Sequence, residues 1–436
     1  MSVQTDQPNK QPALPRPTTT KRTRSLFLAG FALFFALDVT AVELATRLSA
    51  TTSFFDAAAQ DSIALFGVDT AYGVNLDARL TLSGGNDAWS WEVAGELITL
   101  QGDVVENASL FGGQSSGEAI ALISDDLRAF NLTGSLTSGS RHGAVARLDR
   151  AQLAWQGGNF RARIGRQALS LGSGIVFNPM DLFNPFGPTA VDRDFKNGAD
   201  ALVITYLGDE GSELEFIGVA RTSATSDRIA FDQGAWGLRY RSTVGALEYE
   251  IIGAQHFDDQ VLLASLSGPI AGAAWRVNWV GTWLEDRFTQ SAVANVDFAF
   301  AVGQQTAYLF GEYYFNGFGD SNAAEDPTLL DTAATERLAR GEVFVLERHY
   351  FALGGSLTLS PRTTLTTTAI VSLDDGAPLV QTAISFAPGD NQTIEFGIIE
   401  PTGGRGDEFG GVVLEPTTPV LTGTSRQLYL RLVWFL

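Results

Sequence analysis

The chain has 436 residues, 49 acidic and 29 basic side chains, a formal net charge of −20 and no cysteine. Without thiols there is no disulfide framework and no thiolate metal site, and three histidines are too few for a His-rich one. The negative charge repels phosphate and argues against a nucleic-acid partner, while 45% hydrophobic residues, with 29 Phe and 8 Trp, exclude a disordered chain.

At the N-terminus, Lys21, Arg22 and Arg24 precede an apolar run from Ser25 to Leu37, and Val39 to Ala41 place a small residue at a cleavage position. The run is shorter than the roughly 20 residues a spanning helix needs. The pattern predicts an export signal over residues 1–41, with a long Pro- and Thr-rich lead, and a single mature domain over residues 42–436 that begins at Val42. The mature chain keeps one lysine, Lys196, and all its other cations are Arg.

Beyond residue 70 the dominant period is two. Trp275, Val277, Trp279 and Trp283 alternate with Arg276, Asn278 and Thr282, and Leu247, Tyr249 and Ile251 alternate with Glu248 and Glu250. Such segments are strands with two chemically different faces. Their aromatic-rich apolar face and their length of about ten residues fit tilted membrane-crossing strands better than a soluble sandwich. Short turns fall at Gly84 to Asp87, Gly157–Gly158, Gly208 to Ser212, Val244–Gly245, Gly268 to Gly272, Gly303 to Gln305, Ser360 to Thr363 and Pro388 to Asn391. Longer connections fall at Gln101 to Gly143, Ser170 to Gly198, Asn316 to Glu347 and Pro401 to Thr424. Alternating short and long connections mark an outer-membrane barrel. Counting two strands per short turn, the C-terminal strand and one further strand within Leu44 to Phe66 gives about 18 strands, or about 16 if the hairpin near Val261 to Ala273 is not one. Trp89, Trp155, Trp275 and Trp434 lie near short turns or the C-terminus, as interfacial aromatic girdles do.

The hairpin around Gly157–Gly158 is expected to pair Trp155 with Phe160, Ala154 with Arg161 and Gln152 with Arg163. Trp155, Phe160, Ala162 and Ile164 then face lipid, and Arg150, Arg161 and Arg163 face the lumen. A lipid-facing Arg would cost about 2–4 kcal/mol at the midplane, which selects this parity. It leaves Asp149 opposite Arg166 on the outer face, either paired there or with Arg166 turned inward by a bulge at Gly165. The same parity directs Glu92, Glu96, Glu215, Arg239, Arg241, Glu248, Glu250, Arg276, Asp297 and Glu395 into the lumen, where opposite charges would set up a transverse field. The loop from Ser170 to Gly198, broken by Pro and Gly, is expected either to enter the pore or to fold over the rim. If it enters, Asp181, Asp192 and Asp194 approach Arg150, Arg161 and Arg163 and form a constriction.

The segment Gly165, Arg166, Gln167, followed by Asn178, Pro179, Asp181 and Leu182, resembles a region of porin-like and alginate-export-like outer-membrane proteins, with Leu171 where Trp is often found. The final strand, with Leu428, Leu430, Leu432, Trp434 and Leu436 on one face, resembles the C-terminal assembly signal of outer-membrane barrels, although Phe435 is penultimate. The resemblance implies a barrel family more than a substrate.

No hydrolase motif surrounds His142, His256 or His349, which read as solvated or rim residues. "HFDDQ" at His256 lacks a calcium-loop ligand pattern. Asp326 to Arg340 reads as one loop helix, capped by Asp326, started by Pro327 and stopped by Gly341. The expectation is therefore an all-β, transmembrane antiparallel β-barrel in the outer membrane of a Gram-negative bacterium, with no enzymatic activity, cofactor or metal. It would pass small hydrophilic or charged solutes, with outer-membrane lipid and the barrel-assembly machinery as partners and a homo-oligomer compatible. The alternatives are a sheath or export conduit working with a periplasmic partner, for polysaccharide or electron transfer, and, further off, a lipid hydrolase.

Overall fold

The computed structural model describes residues 41–56, 69–106, 125, 128–183, 187, 194–223, 226–230, 232–415, 420–422 and 425–436. Of the expected export signal over residues 1–41, residues 1–40 lie outside these, and Ala41 opens the first strand. Asp192 also lies outside these.

Eighteen strands close into one antiparallel barrel. In chain order they are β1 (Ala41–Asp56), β2 (Thr70–Gly85), β3 (Trp89–Gly102), β4 (His142–Gly157), β5 (Phe160–Gln167), β6 (Ala199–Leu207), β7 (Glu213–Val219), β8 (Ala235–Val244) and β9 (Leu247–His256). They continue with β10 (Asp259–Ile270), β11 (Ala273–Trp283), β12 (Phe288–Val302), β13 (Gln305–Phe315), β14 (His349–Ser360), β15 (Thr363–Ser372), β16 (Pro378–Gly389), β17 (Gln392–Pro401) and β18 (Arg426–Phe435). Each pairs with its chain neighbours, and β18 pairs with β1 through Leu48↔Trp434 and Phe54↔Leu428, which leaves no free barrel edge. The first strand is thus the one expected within Leu44 to Phe66, and the hairpin of β10 and β11 is genuine, so the count is 18 and not 16. A short strand, Thr133–Ser138, pairs with the upper half of β4 where β5 has already ended; it is not a stave.

Period-two alternation sorts the side chains as expected. Leu76, Leu80, Leu97, Ile204, Phe216, Leu238, Ile251, Phe298, Leu353, Phe396 and Leu430 are exposed on the outside. A continuous apolar exterior of this kind cannot face water and matches the lipid-facing band of a membrane barrel. The inner face carries Arg47, Arg79, Glu96, Glu250, Asn278, Asn295 and Glu312, all buried.

The eight short turns all lie at one end, and the four long connections at the other, as the rhythm of the chain predicted. Trp89 and Trp155 meet near the short-turn end, with ring centroids 6.4 Å apart. The β4–β5 turn is offset by one residue from the expected one. Its residues are Gly158 and Asn159, and Gly157 pairs with Phe160, Trp155 with Ala162 and Ala154 with Arg163. Gly158 has φ 57°, the positive value that the first central position of a two-residue hairpin turn requires. Because the turn shifts by one residue, each cross-strand pair changes by two, and Trp155, Phe160, Arg161, Ala162, Arg163 and Ile164 keep their predicted faces.

In the long connection between β13 and β14, the expected single helix is two. Asp326 caps a 3₁₀ turn over Pro327–Leu329, Leu330 is extended, and Asp331 caps the α-helix Thr332–Ala339 (α1) by accepting from Ala334 N at 2.8 Å. Gly341, at φ 68°, ends it as expected.

Candidate functional site

The lumen wall is strongly ionised, but its charges are arranged differently from the expected transverse field. Acid and base alternate between adjacent strands and neutralise each other along the wall. Arg239 donates to Glu250 at 2.6 Å and to Glu215 at 3.3 Å. Arg241 donates to Glu213 at 2.6 Å and stands 3.7 Å from Glu248. Arg276 donates to Asp297 at 2.9 Å and Asn295 at 3.1 Å. Glu92 accepts from Gln152 at 3.2 Å. Glu96 accepts from Arg79 and, at 2.5 Å, from Arg147. The cause is register: Arg241↔Glu213, Arg239↔Glu215, Arg79↔Glu96 and Glu96↔Arg147 are direct cross-strand partners, with Glu250 diagonal to Arg239, and a charge moved off water seeks the nearest countercharge.

Arg161 and Arg163 depart from this pattern. Arg161 is exposed and Arg163 half-buried on the inner face of β5, and neither has an ion-pair partner among the described residues. Opposite them on β4 stand Gln156 and Ala154, and on β6 Thr205 and Val203; no carboxylate faces either arginine across these pairs.

Asp149 and Arg166 resolve in neither of the two expected ways. The bulge is at Asp149: Ala94 pairs with Arg150 and Gly95 with Leu148, which leaves Asp149 unmatched and turned inward. Its carboxylate accepts from Arg79 at 2.8 Å, from Arg150, and from Gly198 N at 3.0 Å. Arg166 stays in register with Ala151 and Asp200, on the same face as Ile164 and Leu202. It is 1% exposed because Asp125 and residues 128–132 cover it. It donates to Asp200 at 2.9 and 3.0 Å, to Asp125 at 3.1 Å and to the Phe130 carbonyl at 2.5 Å.

The described part of the connection from β5 to β6, residues 168–183 and 194–198, lies in the lumen and not over the rim. Leu169, Leu171, Met180 and Phe183 pack against the inward-facing Val203, Ile217, Ile252, Leu263 and Val280 of β6, β7, β9, β10 and β11. Phe177 reaches the far wall, stacking on Tyr314 at 4.6 Å between ring centroids and touching Tyr350 at 5.5 Å. The backbone of Ser173 to Phe177 is tied to three wall side chains, Asn278, Asn295 and Glu312. Only glycine fits at 174, where a Cβ would stand 1.8 Å from the Phe177 carbonyl oxygen.

The loop's charged residues are placed differently from the expected constriction. Asp181 pairs within the loop, with Lys196, whose ammonium also donates to the Leu169 carbonyl at 2.8 Å. Asp194 does not reach Arg150, Arg161 or Arg163; it pairs with Arg47 of β1 and, at 2.6 Å, with Arg431 of β18. Phe195 lies beneath the guanidinium groups of Arg79 and Arg47, 4.3 and 5.5 Å from its centroid. Arg150 instead donates to the Lys196 carbonyl at 2.5 Å. Arg47, Arg79, Arg147, Arg431, Asn295 and Glu312 were not singled out from sequence. Asp77 and Arg79, alternating with Leu76, Ala78 and Leu80, carry the same signal as the residues that were.

The histidines are separated from one another. His142 is exposed and lies 3.4 Å from Thr137 Oγ1. His349 meets the Tyr313 hydroxyl at 2.8 Å at the rim. His256 is not solvated: it is 2% exposed, faces Glu342 at 3.0 Å and lies edge-on to Phe183. Residues 257–258 of the sequence "HFDDQ" form the tight connection between β9 and β10.

No family profile and no curated protein sequence matches this chain. Solved structures do. Acinetobacter baumannii OccAB1 is similar at 10% identity and a TM-score of 0.52, covering 92% of this chain and 97% of that one. Pseudomonas aeruginosa OccK9 (OpdG) gives 11% identity and a TM-score of 0.55 over 91% of this chain and 98% of that one. Acinetobacter baumannii OccAB3 gives 10% and 0.51 over 90% and 99%. At these identities the likeness is one of fold, and it extends over the whole barrel.

Proposed function

We propose that the chain is an outer-membrane channel of the porin type, passing small hydrophilic or charged solutes through an ionised lumen. The observation that carries this reading is the closed barrel with an apolar exterior and an ionised interior on which Arg161, Arg241 and Glu248 keep exposed charge, as a water-filled path allows. The loop from residue 168 to 198 narrows that path: Leu169 to Phe183 pack on the β6–β14 side of the lumen, Asp194 to Lys196 hold Arg47, Arg79, Arg150 and Arg431 on the other, and Arg161 and Arg163 of β5 are left facing the solute path. A threaded protein or polysaccharide partner is disfavoured by the same loop, whose aromatic and apolar contacts fill the space such a partner would need. A hydrolase is disfavoured by the separation of the three histidines and by their partners.

The test is single-channel recording with the purified protein alone in a planar bilayer. A self-sufficient channel conducts without a partner, and deletion of residues 175–188 raises its conductance. A protein that folds to the barrel and stays silent would overturn the reading in favour of a sheath or conduit.

A further inference from the structure

Residues Ser173 to Phe177 cross open lumen with no secondary structure to absorb their amide groups, so each N–H must find a partner elsewhere. Three consecutive ones, from Ile175, Val176 and Phe177, donate to a single carboxylate, Glu312 of β13, at 2.6, 2.9 and 2.8 Å. The two before them meet Asn278 of β11. In the amide orientation that satisfies its bonds, the Asn278 oxygen accepts from Ser173 N at 3.0 Å and Gly174 N at 3.3 Å, and its nitrogen donates to Ser265 Oγ at 2.8 Å. Asn295 of β12 links the two, donating to Glu312 at 3.1 Å and to the Ser173 carbonyl at 3.3 Å. All three side chains are buried, Glu312 to 1% exposure and Asn278 to 0%. Glu312 has no cationic partner among the described residues; three backbone amides and the Asn295 carboxamide donate to it. A carboxylate held this way gains from charge-assisted bonds what it lacks in ion pairing.

Resting on the channel reading above, we infer that Asn278, Asn295 and Glu312 are positioning residues: they form a receptor built into the barrel wall for five successive amides of the chain's own loop. Pinning this segment fixes how much of the lumen the loop occupies, and so sets the conductance. Glu312 is the principal anchor, because its two carboxyl oxygens accept from three successive amides. Sequence does not foreshadow this. Glu312 stands as a lone acid between Gly311 and Tyr313, with nothing to say that a segment some 135 residues earlier would cap it.

The chain has no cysteine, which allows a clean test. Glu312→Ala should raise single-channel conductance roughly twofold, on the scale of a widened constriction, and add current noise from the freed loop. Ser173→Cys with Asn278→Cys, placed where the two native side chains already meet at 3.1 Å, should re-tie the loop. In the Glu312→Ala background the oxidised pair should restore parental conductance, and reductant should raise it again. Val176→Pro removes the central N–H from the loop side without touching the wall, and should open the channel as Glu312→Ala does; it keeps the test decisive if Glu312→Ala does not fold. Parental conductance and noise in whichever of these variants folds would overturn the inference while leaving the channel reading intact. A parent protein that does not conduct would instead count against the channel reading itself.

Discussion

Replacing both Arg161 and Arg163 by Gln removes two positive charges that no carboxylate on the neighbouring strands β4 and β6 offsets. An ion passing about 5 Å from a unit charge feels about 0.8 kcal/mol if the path between them is as polar as water, and about 3 kcal/mol at an effective dielectric of about 20. Taking the smaller value, one arginine favours an anion and disfavours a cation by the same amount, so each removal should lower the anion-to-cation permeability ratio on the order of tenfold at low salt. At about 1 M salt the screening length falls to about 3 Å, and the change should shrink to about twofold. The assay is the reversal potential across a KCl gradient, measured near 0.1 M and near 1 M. Arg241→Gln combined with Glu213→Gln is the control: it deletes both members of a 2.6 Å pair, leaves the net wall charge unaltered and should leave the reversal potential where it was. An unchanged reversal potential in the Arg161/Arg163 variant at low salt would refute the placement of these two residues on the conducting path.

Three further outcomes follow from the geometry. Arg166→Met leaves Asp200 and Asp125 buried without the guanidinium that holds both, and should destabilise the barrel by about 3–5 kcal/mol, read as a lower midpoint for heat-modified gel migration; adding Asp200→Asn should recover part of the loss. At the outer mouth, burial pushes the carboxyl of Glu347 up to about 8, with Asp375, Glu408 and Asp374 adding to it, and burial likewise pushes Glu408 up to about 7. Glu408 joins the β17–β18 connection to the β13–β14 one by accepting from Leu346 N at 3.1 Å and from the Tyr350 hydroxyl at 3.0 Å. Since the packed loops hold these protons more tightly than open ones, the stability this packing contributes is fully present below the ordinary carboxylate value of 4.5 and is lost as pH rises through 7 to 8; the protection of amides 343–348, relative to their intrinsic base-catalysed exchange at each pH, should fall between pH 6 and 9, and Glu347→Gln should flatten that fall. Finally, Leu329→Cys, at a position 49% exposed on the long-loop side, should label on whole cells, while Asp87→Cys in the β2–β3 turn should label only after the outer membrane is opened; Ala323 in the same long loop is fully buried and would report nothing.

Much of the architecture is local in origin, and so was legible in the sequence. A side-chain period of two decides which face each residue occupies, so the inward direction of Arg161, Arg163, Arg239, Glu250 and Arg276 follows from their apolar neighbours alone, and it survived even the one-residue offset of the β4–β5 turn. The strand count likewise follows from turn chemistry: a short turn joins two strands wherever they sit in space. Pairing across strands and through the lumen is different in kind. Whether Glu96 meets Arg79 and Arg147, whether Asp149 is squeezed out as a bulge, and whether Asp194 finds Arg47 and Arg431 or Arg161 depend on register and on the path of a loop with no periodicity of its own. The path of the 168–198 loop was the question that alternation could not answer, because its apolar residues could cover a rim or fill a lumen equally well. The tertiary structure decided it by closing the barrel: Val203, Ile217, Leu263 and Val280 then face inward together as an apolar patch that water cannot solvate, and Glu312 and Asn278 stand ready for amides that only a segment inside the barrel can bring.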